Sequence, residues 1–241
     1  MRVVSWNCNG ALRRKFSQLD ELNADLVVVQ ECENPTNSTA DYKQWAADFA
    51  WKGYPNGKGI GIFPRRGQSI EPLAWANGGF ELFLPVKVAG LWEILAVWTQ
   101  DAKPRSWSYI GQLNGYLELN SHRLGSTTVV VGDFNSNVQW DGSVAHGNHR
   151  TCVSTLEDRG LVSLYHYPKM LPQGDEPDAT FFLQRNLEKP LHIDYVFAHS
   201  ATIVGVNGAL EVGNPERWLP FSDHMPMVFE LLLPGHLEPA S

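Results

Sequence analysis

The chain is short of cysteine, of positive charge and of long apolar runs, and each shortage closes off a class of protein. Cys8, Cys32 and Cys152 are odd in number and far apart, which argues against a disulfide framework and for reduced thiols in a cytoplasmic protein. No apolar stretch approaches membrane-spanning length, so no membrane partner is expected. The opening Met1-Arg2-Val3-Val4-Ser5-Trp6-Asn7 is too briefly apolar for a signal-peptide core. Lys and Arg number 19 against 26 Asp and Glu, a net charge of −7. That balance repels polyanions, so a long duplex would need a local basic patch. There is no periodic repeat, and no coiled-coil pattern points to an obligate protein partner.

What is present is core-forming material. Hydrophobic residues make up 43% of 241, with 9 Trp, 11 Phe and 7 Tyr, enough for the chain to fold alone. Composition shifts little along it, which predicts one domain over residues 1–234 and a short tail over 235–241. Strands are expected at 2–6 and 26–30, then as an antiparallel meander at 60–63, 70–74, 80–88 and 92–99, and later at 127–131, 192–198, 203–206 and 226–233. Leu-Val-Val-Val-Gln at 26–30 and Thr-Thr-Val-Val-Val at 127–131 are apolar at nearly every position, the mark of strands buried on both faces. Helices are expected at 42–49, at 106–119 with Ser106 as cap, and at 152–159.

Polar residues gather where these strands stop. Asn7 and Asn9, Glu31, Asp133 and Asn135, Asp194, and the pair Asp223-His224 all stand at or just beyond strand ends. Taken singly they are turn formers, solvated ends or hydrogen-bond acceptors. Taken together they suggest one shared site, because strand ends on a rigid sheet hold side chains to small tolerances while loops cover them.

In this order, Asn9-Gly10, Gly132-Asp133-Phe134-Asn135, His192-Ile193-Asp194-Tyr195 and Ser222-Asp223-His224 resemble the motifs of the endonuclease/exonuclease/phosphatase superfamily. Ser-Trp-Asn-Cys-Asn-Gly is similar to the start of exonuclease III-type enzymes, and Val-Val-Val-Gln-Glu to their metal-ligand strand. The resemblance spans residues 2–229. It implies a four-layered α/β sandwich, two mostly antiparallel sheets face to face with helices outside, and a site at one end of the sheet pair.

It also implies roles, and elementary chemistry agrees with them. Glu31 is the expected principal ligand of Mg²⁺ or Mn²⁺, with Asn7 nearby and Asp223 a further or water-mediated ligand. His224 would face the scissile phosphate with Asp194 orienting it; whether it takes a proton or, as imidazolium, steadies developing charge is open. Asp133 would position or deprotonate the attacking water, and Asn135 with Asn9 would bind the substrate. After the strand ending near Trp98, relatives commonly present His or Tyr, whereas this chain has Thr99-Gln100. Gln100 donates a hydrogen bond but cannot act as imidazolium or phenolate.

Arg13, Arg14 and Lys15, and Lys103 with Arg105, are the expected basic contacts to a nucleic-acid backbone, or else solvated faces. His146 and His149 read as loop or substrate contacts, and zinc is not expected. Trp107, Trp140 and Trp218 are candidates for stacking on a base, with Trp218 preferred for its closeness to Asp223. The activity expected is divalent-metal-dependent hydrolysis of phosphodiester bonds, with DNA or RNA as substrate. A phosphatase or phosphodiesterase acting on a small or lipid phosphoester, and a non-catalytic binding module, are the alternatives.

Overall fold

The computed structural model describes residues 1–142, 145–202 and 210–232. In chain order its strands are β1 (Arg2–Asn7), β2 (Leu26–Glu33), β3 (Ala50–Gly53), β4 (Lys58–Pro64), β5 (Ile70–Pro72), β6 (Phe83–Val88), β7 (Trp92–Trp98), β8 (Thr128–Asp133), β9 (Leu161–Ser163), β10 (Phe181–Phe182), β11 (Pro190–Leu191), β12 (Asp194–His199), β13 (Leu210–Val212) and β14 (Met227–Glu230). The helices are α1 (Ser17–Asp20), α2 (Ala40–Ala46), α3 (Ile110–Asn120), α4 (His149–Glu157), α5 (His166–Lys169) and α6 (Pro215–Trp218). One six-stranded sheet runs β13-β14-β1-β2-β4-β3 and the other β5-β6-β7-β8-β12-β9, with β10 and β11 as a separate ribbon. Each sheet has a parallel pair near its middle, β1 with β2 and β7 with β8, and its other described pairings are antiparallel.

Alternation of side chains across these strands builds three apolar layers. Val3, Val28, Ile62 and Phe229 of the first sheet meet Val86, Ile94, Val131 and Val196 of the second. The opposite face of the first sheet, with Val4, Trp6, Val27 and Val29, is covered by Leu19, Tyr42 and Trp218 from the helices. The outer face of the second, with Leu95, Val97, Val130 and Phe197, lies under Leu113, Tyr116 and Leu117 of α3 and Leu156 of α4. Both faces of the central strands are therefore dry, which explains the unbroken apolar runs in β2 and β8. Full burial of such a side chain contributes ~1.5–3 kcal/mol, and this is the reserve against which buried polar strand ends are held.

The expected αββα sandwich is thus present, and the departures are local. The strand expected at 60–63 belongs to the first sheet, while β5, β6 and β7 form the meander in the second. Pro64 ends β4, and a turn from Arg65 to Gln68, with Gly67 at φ 76°, carries the chain across. Helix α3 starts at Ile110 and not at Ser106, because Tyr109 takes φ 51° and interrupts helical geometry. Ser108 meanwhile spends its hydroxyl on Asp101 and Ala102. Helix α4 begins three residues early, since Asn148 and Thr151 form a reciprocal capping box. The expectations for 203–206 and for the tail lie outside the described residues.

The early start of α4 buries His149. Its ring meets Ser136 Oγ at 3.3 Å and Gln173 Oε1 at 3.4 Å and packs against Tyr195. It is therefore neither a loop nor a substrate contact. Burial lowers its pKa from 6.5 to about 4. Below the ordinary histidine range the unfolded chain takes up the proton first, so this stabilisation is whole above pH 6.5 and lost as pH falls towards 4, on the order of 3 kcal/mol. Urea melts between pH 8 and 4 should show this decline, and His149→Gln should flatten it between pH 6.5 and 5; an unchanged slope in the variant would sink the assignment.

Candidate active site

The parallel register of β1 on β2 sets Asn7 beside Gln30, so both strands deliver their polar ends to one edge. There β2 is bulged between Gln30 and Cys32, and Glu31, the extra residue, takes φ 63°. A bulge re-aims a side chain that strict alternation would send elsewhere. The second sheet brings its own acids: β8 and β12 pair with Asp133 opposite Asp194. Just before Asp133, Gly132 has φ 140°, and a Cβ there would stand 2.1 Å from the Val97 carbonyl oxygen. Glycine is required for β8 to close on β7 at this point.

Asn7 joins the two sheets. Its Nδ2 donates to Glu31 Oε1 at 3.1 Å and to Asp133 Oδ2 at 2.9 Å, while its Oδ1 accepts the Asn9 N–H at 3.0 Å. Asp133 Oδ1 accepts the Asn135 N–H at 2.8 Å, and Oδ2 also takes the Asn135 amide at 3.0 Å. That amide reaches the Thr99 carbonyl too, at 2.9 Å. Asn9 and Asn135 both have positive φ, 52° and 46°, a conformation asparagine tolerates better than most residues.

His224 lies between the two carboxylates. Its Nδ1 is 2.9 Å from Asp194 Oδ2 and its Nε2 is 3.9 Å from Asp133 Oδ2. The backbone around it is pinned: Trp6 Nε1 donates to its carbonyl at 2.9 Å, and its N–H donates to Ser222 Oγ at 3.1 Å. Ser222 in turn donates to the Asn7 carbonyl at 2.7 Å, tying this loop to the end of β1. Thr180 Oγ1 accepts the N–H groups of Ile193 and Asp194, both at 3.0 Å, and Phe181 packs on the His224 ring with centroids 4.6 Å apart.

The electrostatics follow from burial and spacing. Burial alone would lower the His224 pKa, but Asp194 and Asp133 outweigh it and raise it from 6.5 to about 9. Burial, reinforced by Asp194, pushes Asp133 up from 3.8 to about 7, against the pull of His224 and the Asn7 amide. Near neutral pH the group is an imidazolium between two acids.

Ligand atoms of Asp133, Asp194 and His224 lie within 4.8 Å of one another, a buried acidic and imidazole group with the composition of a metal site. Both ring nitrogens, however, face carboxylates, and an imidazolium has no lone pair to give. Oxygen donors with capacity left are found on the Glu31 side, a set that suits a hard cation. Lys58 Nζ forms an ion pair with Glu31 Oε2.

Residues 4–224 match the model of the endonuclease/exonuclease/phosphatase family. The chain belongs to that family. Its members are divalent-metal-dependent hydrolases of phosphodiester bonds, and this chain is such an enzyme. An AP endonuclease from Archaeoglobus fulgidus is similar in fold, with TM-score 0.69 and 16% identity over 97% of this chain and all of that one. A 3' phosphatase from Neisseria, solved with a product DNA hairpin, gives 0.66 and 19% over 97% and 100%. A 3'-5' exonuclease from Neisseria meningitidis gives 0.62 and 20% over 96% and 99%. No curated protein matches the chain.

Set in this family fold, the sequence-derived residues divide cleanly. Asn7, Glu31, Asp133, Asn135, Asp194 and His224 form one connected group, with Asn9 on its rim. Asp223 adjoins it; its carbonyl accepts the Phe182 N–H at 2.8 Å. Gln100 follows Thr99 at the edge, its backbone held by Gln112 and Tyr109. Trp218 is a correction: it is 2% exposed and packs edge-on against Trp6 with centroids 5.2 Å apart, so no base can stack on it. Trp140 is 53% exposed, and Trp107 is already stacked on His146. Among the basic candidates, Arg13 is paired with Glu33 and Lys15 Nζ donates to the Cys8 carbonyl at 2.6 Å.

Thr180, Phe181 and Lys58 were not expected at the site, and Ser222, part of a motif named above, had no role assigned there. Each reaches it through tertiary packing, from segments whose local sequence reads as loop or turn. The charge balance is open to direct measurement. In metal-free protein the His224 ring should titrate near 9 by NMR, and in Asp194→Asn, which loses one of the two carboxylates that oppose burial, clearly lower. A wild-type value near 6.5, or no shift in the variant, would refute the pairing.

Proposed function

We propose that this protein is a Mg²⁺- or Mn²⁺-dependent nuclease that cleaves nucleic-acid phosphodiester bonds by direct attack of water. The observation that carries this reading is the continuous link Glu31–Asn7–Asp133–His224–Asp194, which joins a carboxylate suited to a hard cation, a candidate base and an imidazolium. Glu31, with Asn7 bonded to it and Asp223 as a further or water-mediated ligand, would hold the divalent ion, which when bound draws charge from the phosphoryl oxygens. Asp133, with its pKa near 7, is suited to orient water and accept its proton at working pH. His224, kept protonated by Asp194, offers an N–H to a phosphoryl oxygen as charge develops. Asn135 spends both amide hydrogens on the Thr99 carbonyl and Asp133 Oδ2, so here it holds Asp133 in place rather than reaching a phosphate oxygen, and Asn9 and Gln100 border the place where substrate would lie.

DNA is the preferred substrate because structures similar in fold are described as acting on it, an abasic-site strand and a 3' end among them; RNA stays within the proposal. Three buried, unpaired cysteines suit a reducing cytoplasm, and among the described residues no helix is long and apolar enough to cross a membrane. A second reading, hydrolysis of a small phosphoester, is favoured by the net charge of −7 and by the engagement of Arg13 with Glu33.

The test is a substrate panel: single-stranded, duplex and abasic-site DNA, RNA, and a chromogenic phosphodiester, each with Mg²⁺, Mn²⁺ or chelator. Metal-dependent cleavage of a nucleic acid is expected, with Glu31→Ala and His224→Ala each lowering kcat/KM by about 10²–10⁴-fold. Gln100→His should raise turnover without tightening substrate binding. Intact nucleic acids alongside a cleaved small ester would replace the nuclease reading with the second one.

A further inference from the structure

Glu31 does not stand free. Oε1 accepts the Asn7 amide at 3.1 Å, and Oε2 carries the ammonium of Lys58. Three features of the fold deliver that ammonium. Lys58 opens β4 directly opposite Glu33, so the sheet ladder fixes its backbone two residues beyond the bulged Glu31. The bulge turns Glu31 towards it. Finally, Gly10 clears its path: a Cβ at that position would stand 3.0 Å from Lys58 Cε and 3.4 Å from Nζ. The Lys58 side chain is 46% exposed and Glu31 19%, so the lysine has solvent space to swing into while the carboxylate is confined.

A carboxylate so confined cannot serve two cations at once. At an effective dielectric constant of 20, an ammonium and a divalent ion several ångströms apart repel by several kcal/mol, whereas a partly exposed ion pair contributes ~1 kcal/mol or less. The lysine is therefore the partner that yields. Once displaced, its nearest alternative is the anionic substrate entering the same mouth, since a lysine ammonium is a flexible point charge well suited to phosphate.

We propose that Lys58 holds the Glu31 carboxylate in the metal-free enzyme and, when a divalent cation takes that place, moves to bind the substrate phosphate. The inference rests on Glu31 as the metal-binding carboxylate of the proposed function. It assigns Lys58 two opposed effects, competition with metal and attraction of substrate, and a purely structural lysine would have neither.

Mn²⁺ binding without substrate, read from the free-ion EPR signal, tests the first effect in wild type, Lys58→Met and Lys58→Arg. Lys58→Met should bind Mn²⁺ about tenfold more tightly, and Lys58→Arg should stay close to wild type. Anisotropy of a fluorescein-labelled single-stranded oligodeoxynucleotide in Mg²⁺, measured with His224→Ala in both proteins so that the probe stays intact, tests the second, with Lys58→Met expected to bind about fivefold more weakly. Should Lys58→Met fail to fold by circular dichroism, Lys58→Gln takes its place. Mn²⁺ affinity that is unchanged or weaker in the folded variant overturns the competition, and an unchanged oligonucleotide affinity overturns the phosphate contact. Mn²⁺ binding lost in Glu31→Gln but indifferent to Lys58 would sink this inference alone. Wild type that binds no Mn²⁺ would sink the metal-dependent reading with it.

Discussion

Two carboxylates set opposite each other on neighbouring strands and closed off from water cannot both stay ionised unaided, and the architecture of the site answers that constraint. Asp133 and Asp194 are in register on β8 and β12 and almost wholly buried. Like charges so placed would drive one carboxyl to neutrality. His224 enters between them from the loop before β14 and supplies the opposing charge. It does so from the other sheet, so the electrostatic balance of the site depends on the two sheets remaining aligned.

Much of the surrounding structure maintains that alignment. Trp6 holds the His224 carbonyl, Ser222 ties the same loop to β1, and Asn7 reaches across to Asp133. Thr180 fixes the backbone entering Asp194. These bonds act in a water-poor setting, where a satisfied polar network is stiff and an unsatisfied member is costly. The three apolar layers make this possible, because burial along β1, β2, β8 and β12 supplies the free energy that holds the polar ends in place. Trp218 belongs to that supporting role: its indole fills space behind Trp6 and does not face the cleft.

Within an overall charge of −7, three cationic side chains gather near the site, Lys15 lying within electrostatic reach of both Lys58 and Arg185. Lys58 lies on Glu31, Lys15 over the Cys8 carbonyl, and Arg185 donates to the Pro220 carbonyl close to Asp223 in sequence. Acids around a phosphoester site raise the negative count without repelling substrate once a cation is bound, since the ion inverts the local field. Net charge thus bears on how tightly a long duplex is held and not on the chemistry at the strand ends, which a few side chains set.

Fold class and most of the site were legible in the amino-acid sequence because both are written in short-range patterns. Apolar runs ending in Asn, Asp or Glu marked buried strands with polar tips, and the resemblance of the ordered motifs to a known family singled out Asn7, Glu31, Asp133, Asn135, Asp194 and His224, which the structure brings into one connected group. Local pattern was silent on three matters that depend on distance in space. It could not divide β4 from the β5–β7 meander, because a turn residue marks a change of direction and not a change of sheet. Nor could it tell an exposed tryptophan from a buried one, as Trp218 shows, because burial is decided by what packs on top. Lys58 gave no signal either: only the ladder of β4 on β2, the bulge at Glu31 and the absence of a side chain at Gly10 bring its ammonium to the carboxylate. What the sequence determined by itself was the chemistry available at the strand ends; which residues share it, and with what charge, was decided by the packing of the two sheets.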